Sequence, residues 1–399
     1  MMNEEFPADR AGALRLLADF APRMGADYAR GRNSDPGPGR RRDVSRLSPA
    51  LRHRLVTEAE VVGTALAMHG EAAAQKFIQE VFWRSYWKGF LELRPALYQD
   101  YRTALDADLA RLDADAALRA RYQSAISGRT GIEGFDAWAT ELREVGWLHN
   151  HARMWFASIW IFTLRLPWTL GADHFLRHLL DGDAASNTLS WRWVAGIQTQ
   201  GKPYVARAEN IARFTGGRFN PAGQLDENPL PLEAPPLPPI RPLPPASAMP
   251  AGPVALLLHE DDLHPEGLLP PGLQVAALAG IAVPEVRSPR GCAPLVARHV
   301  RQALADGLGR AGRQLGLQGD ELAAEAITGW AAGHGLPVVM PQAPVGWTAD
   351  ALIGLGLPLH IIRRDWDQRC WPLATQGFFK FRERISGLIA AMQPSAPSA

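Results

Sequence analysis

A proline-dense segment between residues 230 and 253 divides this 399-residue chain into two parts with different sequence patterns. It reads LPLEAPPLPPIRPLPPASAMPAGP. Proline fixes φ and lacks an amide hydrogen, so this segment can form neither a helix nor a central strand. We therefore predict an extended linker at 226–252, one domain at 1–225, a second domain at 253–392 and a disordered tail at 393–399.

The part before the linker shows helical periodicity throughout. Apolar residues recur at spacings of three and four, and Thr57 with Glu60 forms a capping-box pattern ahead of an apolar run. No convincing strand appears before residue 220, which predicts an all-helical domain. The predicted helices are 8–21, one beginning near 57, 71–92, a pair within 100–125, and one from 135.

The part after the linker alternates apolar runs of strand length with helical stretches, which predicts a parallel, doubly wound, Rossmann-like α/β domain. It carries neither a Gly-x-Gly-x-x-Gly sequence after a strand nor a nucleophile elbow, so no nucleotide or hydrolase motif supports a function for it. The predicted strands are 254–258, 273–278, 337–340 and 357–362, and the predicted helices are 293–315, 320–334, 347–355 and 375–391.

Composition excludes some classes of protein. With a formal net charge of +1, 47% hydrophobic and 21% charged residues, the chain is neither disordered nor a polycation overall. Cys292 and Cys370 stand far apart without metal-ligand spacing, so we expect a reducing compartment, no disulfide and no metal site. No apolar stretch reaches the roughly 18 residues of a membrane span and no signal pattern begins the chain, so we expect a cytoplasmic monomer without membrane contact.

Two stretches before residue 100 are candidates for a binding site. Residues 28–49 are rich in Gly, Pro and Arg and include Ser45 and Ser48, which fits a solvated surface loop or a phosphate-binding loop. In the predicted helix 71–92, Glu80, Trp83, Arg84 and Trp87 share one face. A packing seam would be apolar, so this mixed face indicates the wall of a site.

A tryptophan-rich stretch at 146–193 also holds Arg153 and the sequence DGDAASN, with Asp181, Asp183 and Asn187. The tryptophans could be core filler. Buried carboxylates need partners, however, and a bound ligand can provide them. We therefore interpret this stretch as a ligand site.

The helical part resembles the flavin-binding catalytic domain of the DNA photolyase and cryptochrome family over about residues 8–220. The likeness rests on four blocks in the family's order, of which the third and fourth are similar to Gly-Trp-x-His-Asn-Arg-x-Arg-Met and to Asp-x-Asp-x-x-x-Asn with a trailing Trp-x-Trp. The first block departs from the family in having Val44 where a threonine is usual. The blocks are Tyr28 with VSRLSP at 44–49, EVFWR at 80–84, GWLHNHARM at 146–154 and LLDGDAASNTLSWRW at 179–193.

The resemblance implies that flavin adenine dinucleotide (FAD) is the cofactor. It assigns the FAD phosphates to Tyr28, Ser45, Leu47 and Ser48, with Arg84 nearby. It assigns the ribityl chain and the isoalloxazine ring to Arg153, Asp181, Asp183 and Asn187, with the Arg153 cation stabilising reduced flavin.

The resemblance also implies an electron relay that begins with Trp191 and Trp168. The family places the third relay tryptophan before residues 128–131, but residues 100–127 contain no tryptophan. Tyr122 and Trp160 are the remaining candidates for that position, and the residues alone do not choose between them.

The family's repair enzymes hold a cyclobutane pyrimidine dimer in a cavity, and the resemblance carries that role to this chain. Glu80 would bond a thymine carbonyl, and the indoles would stack the flipped pyrimidines. His151 stands where the repair enzymes have arginine, which weakens a substrate contact. The matching residues are Glu80, Trp83, Asn150, His151, Met154 and Trp193.

Domain order departs from the family, because the usual photolyase begins with an α/β antenna domain, whereas this chain places its α/β domain last. That domain is either a permuted or replaced antenna-like domain or an unrelated partner, and a second chromophore stays unassigned. The resemblance implies a light-driven photolyase that repairs cyclobutane pyrimidine dimers in damaged DNA. The alternatives are a cryptochrome-like blue-light photoreceptor without repair activity and a light-independent flavin-binding redox module.

Overall fold

The computed structural model describes residues 5–392, so the predicted tail at 393–399 lies outside the described residues. In the described chain up to residue 220 every regular element is helical, as predicted. The elements are α1 (Arg10–Phe20), α2 (Ala26–Gly31), α3 (Ser48–Arg52), α4 (Glu58–Glu92), α5 (Ala96–Ala114), α6 (Ala116–Ile126), α7 (Phe135–Val145), α8 (Asn150–Ser158), a π-helix at Ile159–Thr163, α9 (Trp168–His178), α10 (Ala184–Val194) and α11 (Ala208–Phe214).

Helix α4 is longer than predicted, because the two helices expected near 57 and at 71–92 merge across a kink. Gly70 stands at the kink with φ 71°, a left-handed conformation that glycine adopts without steric cost. The predicted capping box is confirmed: the Thr57 hydroxyl accepts from the amide of Glu60, and the Glu60 carboxylate accepts from the amide of Thr57.

The second part is a five-stranded, fully parallel sheet in the order β3-β2-β1-β4-β5, with helices on both faces, which confirms the predicted fold class. The sequence missed the short strand β3 and helix α15, and the predicted helix 375–391 is two helices. The elements are β1 (Pro253–His259), β2 (Gln274–Ile281), α12 (Pro294–Leu315), β3 (Gly319–Glu321), α13 (Ala324–His334), β4 (Val338–Pro341), α14 (Trp347–Gly354), β5 (Leu359–Ile362), α15 (Asp365–Cys370), α16 (Phe378–Arg382) and α17 (Ile385–Met392).

Alternating residues of β1 separate two apolar layers. Val254, Leu256 and Leu258 pack in the large core that also contains the helical part, whereas Ala255 and Leu257 pack under α13 and α14. One hydrophobic core therefore runs through both parts of the chain. The division at 226–252 remains a prediction about domains, and in the structure that segment contains no helix or strand.

Buried ion pairs join the two parts. Arg52 at the end of α3 pairs with Asp261 at 2.5 Å, and Arg54 pairs with Asp262 at 2.9 Å and with Asp367 at 2.7 Å. All five side chains are almost completely buried, so removing one partner would leave an uncompensated buried charge. The α/β part thereby fixes the short segment that connects α3 to α4.

The carboxyl end of the sheet, where open α/β sheets usually bind ligands, faces the helical part. Glu260 follows β1 and accepts a hydrogen bond from the Trp347 indole at 3.0 Å. The guanidinium groups of Arg52 and Arg287 lie 5.2 and 5.0 Å from the centre of the Trp347 ring. Protein side chains therefore occupy this crevice.

Helix α4 is shared by the two parts. Ser85 accepts a hydrogen bond from the Trp366 indole at 2.8 Å, and Phe82 stacks on Trp366 with ring centres 4.8 Å apart. A side chain at Gly89 would place its Cβ 2.7 Å from the Cα of Trp371, so the close approach requires glycine. One face of α4 therefore packs against the C-terminal helices.

Candidate functional site

A cavity of about 500 Å³ opens within the helical part. Its walls come from α2, the loop before α3, α4, α8, α9 and α10, so segments far apart in sequence meet around one space. Every predicted site residue except Leu47 and Trp168 lines it. The lining predicted residues are Tyr28, Ser45, Ser48, Glu80, Trp83, Arg84, Asn150, His151, Arg153, Met154, Asp181, Asp183, Asn187, Trp191 and Trp193.

The two exceptions lie close by. Leu47 is buried immediately before α3, and its backbone oxygen accepts from the amide of Leu51 at 2.9 Å. Trp168 is the first residue of α9, and its ring centre lies 5.6 Å from that of Tyr101. Leu47 therefore helps to position the serines, while Trp168 belongs to a neighbouring aromatic contact.

The first aspartate of the DGD sequence is held by arginine. Arg153 donates two hydrogen bonds to the Asp181 carboxylate, at 3.0 and 2.8 Å, and a third to the backbone oxygen of Leu148. Burial by itself would raise the pKa of Asp181, but Arg153 and a hydrogen bond from Ser48 outweigh it and hold that pKa below its ordinary value. Asp181 is therefore a fixed anion in the cavity wall.

The second aspartate serves two structural purposes. One Asp183 oxygen caps α10 by accepting from the amide of Ser186 at 2.8 Å, and the other accepts from Arg84 at 2.7 Å. One turn into α10, the Asn187 amide group donates to the backbone oxygen of Ala172 at 2.8 Å. The spacing of the motif therefore follows from a helix cap and the first turn behind it.

The arginine-rich stretch at 28–49 was predicted to be either a surface loop or a phosphate-binding loop, and the structure shows features of both. Arg41 is buried and pairs with Asp35 at 2.8 Å and with Glu141 at 2.5 Å, so it anchors the loop inside the protein. Ser45 and Ser48 line the cavity, and Ser48 accepts from the Trp147 indole at 3.0 Å. The loop thus supplies hydroxyl groups to the cavity while its central arginine stabilises the fold.

A charged cluster lies at another part of the wall. Glu80 is ion-paired with Arg32, which lies four residues after Tyr28. Burial raises the pKa of Glu80, while Arg32 and Lys76 oppose that effect. Burial also raises the pKa of Tyr28, which keeps its phenol neutral. No sequence pattern indicated Arg32, because the composition of residues 28–49 predicts a loop, whereas Tyr28 lies in α2 and Arg32 directly follows that helix.

The two indoles expected to meet a substrate each stack on a second aromatic ring. Trp83 lies on Phe378 with ring centres 3.6 Å apart and planes 13° apart, and Trp193 stacks on Tyr204 at 5.5 Å. Phe378 was missed as well, because it lies almost 300 residues from Trp83 and no local pattern connects them. The α/β part therefore contributes to the support of this wall.

His151 is held as a neutral ring. It stacks on Trp155 with ring centres 4.6 Å apart, and its Nδ1 lies 2.9 Å from the backbone oxygen of Asn33. Burial lowers its pKa, so the imidazole carries no charge near neutral pH. His149 caps α8 with Nδ1, and burial lowers its pKa to about 4.

Aromatic rings lead away from the cavity through Trp191. Its ring centre lies 6.3 Å from that of Trp160, and Trp160 lies 5.8 Å from Tyr122. Trp191 and Trp160 are almost completely buried. A Cβ at Gly171 would lie 2.3 Å from the Trp191 ring and 2.9 Å from the Trp160 indole nitrogen, so glycine permits this contact.

The lining suits both chemical ends of a flavin dinucleotide. Ser45 and Ser48 with nearby guanidinium groups provide donors for a pyrophosphate, and aromatic and aliphatic side chains such as Phe77 and Phe175 provide apolar walls for ring systems. Among residues 5–392, no hydrogen-bond partner reaches the buried indole nitrogen of Trp191. The residues present therefore fit FAD.

Within residues 5–392, no helix combines the length and the apolar character that crossing a bilayer requires.

Comparison with known proteins shows what this chain is similar to. The family model for the FAD binding domain of DNA photolyase matches residues 77–228. The chain is 39% identical over 179 residues to a deoxyribodipyrimidine photo-lyase of Streptomyces griseus, covering 45% of this chain and 37% of that protein. It is 27% identical over 203 residues to the enzyme of Escherichia coli K12, covering 50% of this chain and 42% of that protein.

Among solved structures, a bacterial class III photolyase from Agrobacterium tumefaciens aligns with a TM-score of 0.44 and 28% identity, over 52% of this chain and 43% of that one. The chain thus spans less than half the length of each of these two curated relatives. The match to the family model begins at residue 77 and includes three of the four sequence blocks. Residues 77–228 are therefore similar to the FAD binding domain of DNA photolyase.

Proposed function

We propose that this protein uses light to split cyclobutane pyrimidine dimers in DNA. The observation that carries the proposal is that Glu80, Trp83 and Trp193 line the same cavity as Asp181 and Asp183. Groups suited to a pair of flipped pyrimidines and groups suited to FAD thus share one space. Relatives named deoxyribodipyrimidine photo-lyase support the same reaction.

Reduced FAD held in this cavity would supply light-driven electron transfer to the dimer. The protein's own contribution begins with Asp181, Asp183 and Asn187, whose positions are fixed by Arg153, Arg84 and the α9 backbone. We assign these three residues to the cofactor, together with Tyr28, Leu47 and the two loop serines.

Glu80 is the proposed contact for a pyrimidine carbonyl. Burial raises the pKa of Glu80 and so favours the protonated form, which can donate a hydrogen bond to the carbonyl, whereas the ion pair with Arg32 opposes that rise and orients the carboxyl group. Trp83 and Trp193 offer indole faces for the pyrimidines, and Met154 and Asn150 complete the wall. The Asn150 amide lies 3.9 Å from the Met154 sulfur, so these two side chains hold each other in place.

For electron supply to the cofactor we propose a relay from Trp191 to Trp160 and on to Tyr122. The support is the pair of ring separations, 6.3 and 5.8 Å, together with the burial of both indoles. Trp168, which the family resemblance assigns to the second place, packs on Tyr101 instead. The second member of the proposed relay is therefore Trp160 and not Trp168.

A light-dependent repair assay tests the function. An oligonucleotide with one thymine dimer is incubated with reduced holoprotein in the dark or under blue light, and intact thymines are counted. We expect loss of dimers only in the light, much slower loss with Glu80→Ala, and an unchanged rate with Glu144→Ala on the exposed side of α7. Absence of loss with the parent protein, or full activity of Glu80→Ala, would refute the repair proposal.

A cryptochrome-like photoreceptor is the second candidate function, and His151 favours it. Its neutral imidazole is occupied by Trp155 and the Asn33 carbonyl, so it offers no cation to a DNA phosphate. This function predicts rapid flavin photoreduction without affinity for dimer-containing DNA.

A light-independent flavin redox module would be indicated if Trp191→Phe changed neither photoreduction nor any other measured function.

A further inference from the structure

The C-terminal helices lie along α4, the helix that carries Glu80 and Trp83. The Tyr86 hydroxyl donates to the backbone oxygen of Gln376 at 2.9 Å, and Ser386 bonds the Glu71 carboxylate further along the helix. Phe381 lies 6.2 Å from Phe82, ring centre to ring centre. Helix α16 is therefore fixed beside the part of α4 that forms the cavity wall.

Consecutive residues of α16 have opposite environments. Phe378 is buried against Trp83, whereas Phe379 is 70% exposed. Trp83 itself is partly exposed and lines the cavity. The exposed phenyl ring is thus one residue away from the ring that supports the proposed substrate wall.

The surroundings of Phe379 are basic. The Arg382 guanidinium lies 5.2 Å from the centre of the Phe379 ring, and Lys380 and Arg384 are exposed on the same short segment. Glu383 is the one acidic side chain among residues 378–384 and pairs with Lys380 at 3.1 Å. Three cations against one carboxylate leave this segment with a net charge of +2.

We propose that α16 is a DNA-contacting element of the α/β part, in which Phe379 stacks on a nucleotide next to the lesion and Arg382 and Arg384 contact phosphates. An exposed aromatic ring among cations matches the two surfaces of a nucleic acid strand, its bases and its backbone. The inference rests on the proposed function in taking DNA as the substrate. It gives the α/β part a role in substrate binding that requires no second chromophore.

Binding measurements on the holoprotein test this surface. Phe379→Ala and Arg382→Gln are compared with Ile353→Ala, a matched control in α14 whose side chain is 75% exposed. Dissociation constants are measured for duplexes with and without one thymine dimer across a range of salt concentrations. Flavin absorbance and thermal unfolding establish that each variant is folded and loaded.

We expect Phe379→Ala to weaken DNA binding roughly 5- to 100-fold, which is the range for loss of one base-stacking contact. Arg382→Gln should lower the slope of log affinity against log salt by about one, as for one lost phosphate contact. Ile353→Ala should bind like the parent. Unchanged binding by both test variants overturns the proposal.

The outcomes separate this proposal from the proposed function. If the parent binds dimer DNA tightly and both Phe379→Ala and Arg382→Gln bind equally well, only the α16 surface is wrong. If the parent binds both duplexes equally and Phe379→Ala weakens both, the surface stands and the repair function loses its support. If the parent binds neither duplex, both proposals fail.

Discussion

Arg32 and Glu80 form an ion pair at the wall of the cavity, with about 27% and 32% of their side-chain surfaces exposed. The pair joins α2 to α4 and sets the orientation of the carboxyl group that we assign to the substrate. Burial raises the pKa of Glu80, and Arg32 limits that rise. Removing the Arg32 side chain should therefore change the stability of the fold in a way that depends on pH.

Arg32→Gln should raise the pKa of Glu80 further. A carboxyl group whose folded pKa lies above its unfolded value stabilises the fold at low pH and loses that contribution as pH rises through the folded pKa. We expect the variant to be more destabilised at pH 8 than at pH 5, with a difference on the order of 1 kcal/mol. Urea unfolding at both pH values measures it. In a Glu80→Gln background the difference should vanish; equal destabilisation of the single variant at both pH values would contradict the assignment.

Asp183→Ala should weaken both the fold and FAD retention. It removes the cap of α10 and leaves the mostly buried Arg84 without its carboxylate, which together cost about 2 to 4 kcal/mol. Unfolding of the apoprotein and titration with FAD measure the two effects separately. Asp115→Ala is the matched control, because Asp115 caps α6 away from the cavity. FAD affinity that falls equally in both variants would argue against a local role for Asp183.

Trp160→Phe should slow photoreduction of bound flavin more than Trp168→Phe does. Trp160 lies in ring contact with Trp191, whereas Trp168 contacts Tyr101. We expect at least about a tenfold loss of rate, since a barrier increase of about 1.4 kcal/mol already has that effect. Bleaching of flavin absorbance under blue light with an external reductant measures the rate, and thermal unfolding checks the fold. The opposite ranking would restore Trp168 to the second relay position.

Glu92→Gln should remove a pH dependence from the contact between the two parts of the chain. Glu92 accepts from the amide of Val345 at 2.6 Å, and burial raises its pKa to about 7 from an ordinary value of 4.5. Stability is therefore lost as pH rises from about 4.5 to 7, by at most about 3 kcal/mol.

The variant should match the parent near pH 4.5 and exceed its stability at pH 8, because glutamine keeps an acceptor and never ionises. Thermal unfolding across this range is the measurement, with the exposed Glu144→Gln as control. A parent whose stability does not fall between these pH values would show that Glu92 is ionised in the fold.

Local sequence patterns predicted most of the secondary structure of this chain, with two informative exceptions. The change from helical periodicity to alternating strands and helices predicted both fold classes, because each pattern repeats within a few residues and depends on local geometry. The first exception is Gly70, where the sequence predicted two separate helices. In the structure they form one helix, α4, with a kink at this glycine. The three-residue strand β3 was missed because it is too short to show an alternation.

The sequence by itself determined most of the helical and α/β elements and most of the predicted cavity residues, since its motifs are contiguous and their spacing follows from caps and helical turns, as in Asp183 and Asn187. Only the tertiary structure decided that Phe378 supports Trp83 and that Trp160 contacts Trp191. It also decided that Arg52 occupies the crevice of the sheet. The physical reason is that these contacts join surfaces brought together by packing of the shared core, and a side chain's local sequence carries no information about a partner hundreds of residues away.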